Sequence, residues 1–216
     1  IPKIENGDSI SNLLSILLGS PDDLKLIPEL INNLQKIANP SDRQGWTLVV
    51  ANTYPDRLDV LATLLCNFVK LTPGQAVYLP PRTIHAYLNG VGVEVMAASD
   101  NVVRGGLTIK PINLKLFLDI ADTSAKNLES YLVVPENLVN GKTWNAPDLK
   151  LAELPLSQDP QTHLLTTETI AFVWGGEVLL SAAKGESSIT ISGDLGAILP
   201  AGRFEYSGTG SLWLAS

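Results

Sequence analysis

Apolar residues near the start of the chain recur at helical spacing. Ile10, Leu13, Leu14, Leu17 and Leu18 make one stripe, opened by the capping residues Asp8 and Ser9 and closed by Gly19. Ser20-Pro21-Asp22-Asp23 then opens a second helix, with Ser as N-cap, Pro in the first turn and Asp23 at the capping-box position. Leu24, Ile27, Leu30, Ile31, Leu34 and Ile37 continue its apolar face to Asn39-Pro40, with Pro28 expected to kink it or delay its start. A third helix is expected from Ser41 to Ala51, although Trp46 to Val50 is also good strand material, and Tyr54-Pro55-Asp56 ends either one. From Leu64 the period shortens to strands over Leu64–Lys70, Ala76–Leu79, Ile84–Leu88 and Val91–Met96, followed by a short helix over Leu114–Ala121. Residues 128–160, punctuated by Pro135, Pro147, Pro155 and Pro160, read as edge strands and loops. From Leu164 short strands return: Ile170–Trp174, Val178–Ser181, Ser188–Ile191, Ala197–Leu199, Glu205–Ser207 and Ser211–Leu214. The pattern predicts a mainly β chain with a helical subdomain: helical over 1–63, β with the chemistry-bearing motif over 64–127, and β again over 128–216.

One turn organises the expected site. Asn89-Gly90 lies between two alternating apolar runs, the strongest short hairpin signal, and a type I′ turn there pairs Leu88 with Val91, Tyr87 with Gly92 and His85 with Glu94. Alternation then places His85, Tyr87, Glu94 and Met96 on one face, with Ala86, Leu88, Val91, Val93 and Val95 on the other. An imidazole and a carboxylate are thereby expected to oppose each other across a ladder. A weak internal repeat also shows: Gly74 to Tyr87 echoes Gly193 to Tyr206, each with Leu-Pro, and His85 stands at the offset from that Pro where the second copy has Glu205.

Composition narrows the function. With 45% hydrophobic residues in 216 the chain can bury a real core, and no apolar run is long enough to span a bilayer. A net charge of −7 argues against nucleic acid or anionic membrane as partner. The charge is uneven: residues 1–71 carry −2, residues 72–110 carry +1 and residues 111–216 carry −6. The only net-positive stretch holds Arg82, Arg104 and Lys110, which suits a small anion. Cys66, the single cysteine, rules out an intrachain disulfide and is expected to be a buried strand residue in a cytoplasmic protein. The sequence opens on Ile, its one methionine is Met96 and it shows no signal peptide, so it is expected to be the downstream part of a longer protein.

The ordered run PGQAVYLPPRTIHAYL followed by VEVMAASDNVVRGGLTIK resembles the C-terminal half of the type I phosphomannose isomerases, specifically between about Asn67 and Lys110. The resemblance implies cupin-like β-barrel or jelly-roll halves and a zinc-dependent interconversion of mannose 6-phosphate and fructose 6-phosphate. It makes His85 one of four zinc ligands, the others being a Gln-x-His pair and a Glu of the N-terminal half. No Gln-x-His is picked out anywhere in this chain, so an incomplete zinc site and an inactive fragment are expected, with the missing half of the same protein as partner. The resemblance also makes Arg104 the catalytic arginine and Lys110 a substrate contact; without it both cations would read as surface charges. Tyr87, on the His85 face of the expected hairpin with Gly92 opposite, is expected to lie beside the substrate. Gly105 stands where the family often has Ala, and Ile109 where it usually has Pro, while Asp100 and Asn101 are expected to brace the loop. Glu94 is either the acceptor that orients His85 or an acid/base of the pocket, against the plainer reading of an exposed strand carboxylate. His163 reads as structural. The competing reading of the chain is a metal-free, cupin-like sugar-binding or regulatory module that kept the barrel without catalysis.

Overall fold

The computed structural model describes residues 9–19, 26–37, 41–99, 101–182, 187–193 and 195–216. Asp8, the Ser20 to Asp23 helix opening, Asn39-Pro40 and Asp100 lie outside the described residues. The chain divides into two compact units, one of Ile1–Lys70, Leu79–Gly92 and Asp100–Tyr131, the other of Leu71–Tyr78, Val93–Ser99 and Leu132–Ser216.

The first unit is helical. α1 (Ile10–Gly19) is capped by Ser9, whose Oγ accepts from the Asn12 amide at 3.2 Å, and buries Leu14. In α2 (Leu26–Gln35) Pro28 sits in the first turn, where its missing N–H removes no helical hydrogen bond. α3 (Asp42–Thr53) settles the choice between helix and strand at Trp46 to Val50. Ser41 and Gln44 form a reciprocal capping box, and Thr47, Val50 and Ala51 share one buried stripe. The expected strand over Leu64–Lys70 is absent; the preceding residues Leu58–Leu65 form a 3-10 helix, and Lys70 lies in extended coil. Local bonding explains the outcome: Thr63 donates to the Val60 carbonyl at 2.7 Å, three residues back, and meets the buried Thr47 hydroxyl at 2.8 Å. Cys66 therefore ends a 3-10 helix, half-buried, and is not a strand residue; burial pushes its thiol up, against a smaller opposing effect of Arg43. α4 (Leu114–Ile120) falls where the sequence places it, its N-terminus capped by Asn113.

The second unit is an antiparallel β structure. β1 (Ala76–Val77) pairs with β2 (Leu132–Val133). The remaining strands are β3 (Glu136–Leu138), β4 (Gly141–Ala146), β5 (Leu149–Pro155), β6 (Gln161–Leu165), β7 (Thr169–Ala182), β8 (Ser188–Ser192), β9 (Gly196–Leu199) and β10 (Gly202–Ala215). They form one sheet ordered β3-β4-β5-β10-β7-β8, with β6 on β10 and β9 on β7. Residues 132–155 are more regular than expected, because Pro135, Pro147 and Pro155 fall between strands or at a strand end. The strands expected over 170–174 and 178–181 are one continuous β7, and those over 205–207 and 211–214 are one β10. The intervening glycines look like turns in the sequence. They mark a register shift between Thr209 and Ser211, where a Cβ on Gly210 would collide with the Trp174 carbonyl across the ladder. Leu154, Ala171, Val178, Leu180, Ile191, Tyr206 and Leu212 fill the core of this unit.

Candidate functional site

The hairpin on which the site was expected to rest is not formed. Residues 84–97 contain no strand, and Asn89 lacks the positive φ that a type I′ turn requires, although Gly90 has φ of 122°. Tyr87 is 69% exposed and Val91 83%, so much of the segment's apolar surface faces solvent, and an isolated two-stranded hairpin is at best marginal in water. The opposition of His85 and Glu94 falls with it. His85 and Tyr87 belong to the first unit, while Glu94 lies exposed in the second.

The His85 Nδ1 lies 2.9 Å from the Thr83 carbonyl, an atom that can only accept, so Nδ1 is the donor of this contact. The Tyr87 ring stands edge-on to the imidazole at 5.9 Å. The turn before them is held to α4: Arg82 donates from Nε to the Ile120 carbonyl at 2.5 Å, its own carbonyl accepts from the Asp122 amide at 3.0 Å, and Thr83 bridges to Asp122. Asp122 is held well below the usual carboxylate range by hydrogen bonds from Lys126 and Ser124. Arg82 adopts a φ of 72°, and Gly202, at the same offset from the Leu-Pro of the repeat, a φ of 146°. Both copies thus turn at that position, where the second has glycine and the first tethers an arginine.

Arg104 opens a loop fixed from three sides. Gly105 is buried so closely on Phe117 of α4 that a Cβ would come within 2.6 Å of the ring, and one on Gly106 would come within 2.8 Å of Asp59 Oδ2 and 3.1 Å of Leu18 in α1. Asp59, 6% exposed, accepts from the Leu107 amide at 3.0 Å and from Arg57 through both carboxylate oxygens, Nε to Oδ1 at 3.0 Å. Arg57 in turn lies over the Tyr54 ring. Asp59 is the residue that sequence reading missed. Its partner is 48 positions away, and only the juxtaposition of Arg57 and Asp59 hinted at a fixed carboxylate. The Arg104 side chain is half-buried and makes no hydrogen bond or ion pair among the described residues, while Lys110 is exposed. Asn101 is exposed too, and no bond from it braces the loop among the described residues.

Among the described residues, no three His, Cys, Asp or Glu side chains are grouped to hold a metal. A Gln-x-His triplet that the sequence reading passed over does occur outside the motif, at Gln161-Thr162-His163 on β6 of the second unit, with Gln161 and His163 on one strand face. His163 packs edge-on against Phe204 at 5.8 Å. No helix among the described residues is long and apolar enough to cross a membrane.

No family model matches the sequence. Mannose-6-phosphate isomerase of Escherichia coli strain K12 is 30% identical over 194 residues, 85% of this chain and 49% of that protein. Mannose-6-phosphate isomerase 1 of Arabidopsis thaliana is 45% identical over 75 residues, 35% of this chain and 17% of that protein. A crystal structure of mannose 6-phosphate isomerase from Salmonella typhimurium, bound to its substrate fructose 6-phosphate and to zinc, matches with a TM-score of 0.78 and 28% identity over 95% of this chain and 53% of that one. The chain spans about half the length of the curated relatives that it matches over most of its own.

Proposed function

We propose that this chain, a relative of the phosphomannose isomerases in sequence and in fold, is the C-terminal half of a cytoplasmic, zinc-dependent aldose–ketose isomerase that interconverts mannose 6-phosphate and fructose 6-phosphate. The observation that carries the proposal is the match of 95% of the chain to a structure holding fructose 6-phosphate and zinc. The pinned Arg104 loop supports it, since a guanidinium held by its backbone and left without an internal partner suits an oxyanion.

In this reading the reaction passes through a cis-enediol. A base takes the proton from C2 of the aldose and returns it to C1, while a hydroxyl proton moves from O2 to O1. Arg104 stabilises the negative charge that builds on the two oxygens. Lys110, a mobile point charge, holds the phosphate, and Tyr87 lies against the sugar. Glu94 is assigned the proton transfer on its chemistry alone. His85 supplies one metal ligand through Nε2. A single imidazole does not make a catalytic zinc site, which takes three protein ligands and an open position, so the remaining donors belong to the other half of the parent protein. Zinc, when bound, would polarise the sugar oxygens.

The test is reconstitution. The purified chain should hold well under one equivalent of zinc after dialysis and turn over no mannose 6-phosphate, and adding the N-terminal half of the parent with zinc should restore both. Tight stoichiometric zinc in the chain alone would overturn the division of ligands. Failure of the complete parent to isomerise the sugar, with sugar binding retained, would favour the non-catalytic module.

A further inference from the structure

The second unit has a cleft that the proposed reaction does not use. It lies between the β3–β4 turn and β6, which among the described residues pairs only with β10, and has a volume of about 310 Å³. Asn140, Thr162, His163 and Arg203 supply its polar lining, with Leu138 and Leu164 among the apolar residues. A cleft of this volume is at the lower end of the range that takes small molecules.

Unpaired polar groups gather around it. Arg203 is exposed, and it makes no ion pair or hydrogen bond among the described residues. The His163 ring nitrogens likewise have no hydrogen bond among them, although the ring is half-buried against Phe204. Beside His163 on the same strand face, at directly paired positions on β6 and β10, the Gln161 Oε1 and Tyr206 hydroxyl are buried. The Tyr206 hydroxyl lies beside Asn140 without reaching bonding geometry. Gln161 and Tyr206 do not line the cleft, so the groups left open to a bound species are the Arg203 guanidinium and the His163 ring. The charge selects its kind. Among the described residues no carboxylate lines the cleft, although the chain carries −7, and Lys150 adds its charge beside His163. Glu205 lies two residues along β10 from Arg203 but does not line the space.

We propose that this cleft binds a small phosphate-bearing polyol, with Arg203 taking the phosphate and the Asn140, Thr162 and His163 side chains taking hydroxyl groups. The site belongs to the C-terminal β unit and is independent of the Arg104 loop.

The chain has two histidines, so imidazole NMR reads the two places separately. Inorganic phosphate and fructose 6-phosphate, titrated as probes into the purified chain, should shift the His163 ring signals saturably. Fructose 6-phosphate should bind more tightly than phosphate. Arg203→Ala should weaken both about tenfold, the loss of one charge-assisted hydrogen bond, and Arg203→Lys should recover most of that. Arg104→Ala should leave the His163 response unchanged. Because Arg203 is exposed and unbonded, a circular dichroism spectrum suffices to show that its variants are folded. His163 signals that stay fixed, or that move equally in Arg203→Ala, would overturn the proposal. A response confined to His85 would overturn it too, while leaving the isomerase reading in place.

Discussion

Asp59→Ala tests whether the Arg104 loop is held as described. The substitution leaves the Leu107 amide without an acceptor, a loss of about 1–3 kcal/mol for a part-buried donor. It also breaks the pair with Arg57, whose side chain is 31% exposed and is rehydrated in part, so this adds about 1 kcal/mol at most. The expected loss is about 1–4 kcal/mol. The four α-helices among the described residues lie in the first unit, so helical circular dichroism during urea unfolding reports on that unit. With a slope of about 2 kcal/mol per molar urea, the midpoint should fall by roughly 0.5–2 M. A second variant makes the test specific. Gly106→Ala places a methyl 2.8 Å from Asp59 Oδ2 and should cost about 1–3 kcal/mol in the parent sequence. With the carboxylate already removed it should cost clearly less, a coupling of about 0.5–2 kcal/mol. Additive losses, or an Asp59→Ala effect under about 0.5 kcal/mol, would refute the anchoring role.

Three other outcomes are expected. Gly105→Ala should lower the thermal midpoint through an overpacking cost of about 1–3 kcal/mol against the Phe117 ring, and Phe117→Leu in the same chain should relieve part of it. The His163 pKa lies below its ordinary 6.5, first because of burial and then because of Lys150. The unfolded chain therefore takes up the proton at higher pH than the native one. Stability is full above about 6.5 and falls as pH drops toward the native pKa; denaturant titrations between about pH 7 and 5 should show this slope, and His163→Phe should flatten it. In the full-length parent Arg104→Ala should reduce kcat far more than it raises KM, while Lys110→Ala should mainly raise KM; the reverse split would exchange the two roles.

Legibility followed the range of the interactions. The helical stripes, the α4 cap region and the C-terminal strands are written in neighbouring residues, and the structure has them. Asn89-Gly90 is an equally strong local signal, yet Leu88 and Val91 of the apolar face it would build stand exposed, and the local preference alone does not build a ladder. The glycines of β7 and β10 misled in the other direction: at close range they read as turns, whereas their need arises from a carbonyl on the neighbouring strand. Asp59 was invisible for the same reason. Its role is a bond to an amide 48 residues downstream, and only folding brings the two together.

β10 comes last in chain order among the described strands, yet it lies inside the sheet, paired with β5 and β6 on one side and β7 on the other. During synthesis, β3-β4-β5 and β7-β8 with β9 can each begin to pair as they emerge, but they have no strand to join them until Gly202 onward has left the ribosome. The second unit must therefore wait, with apolar residues such as Leu154, Ala171 and Val178 unburied, for the last element to arrive. A ribosome stalled after β9 would release a chain in three unjoined pieces, and quality control would recognise it by that exposed interior.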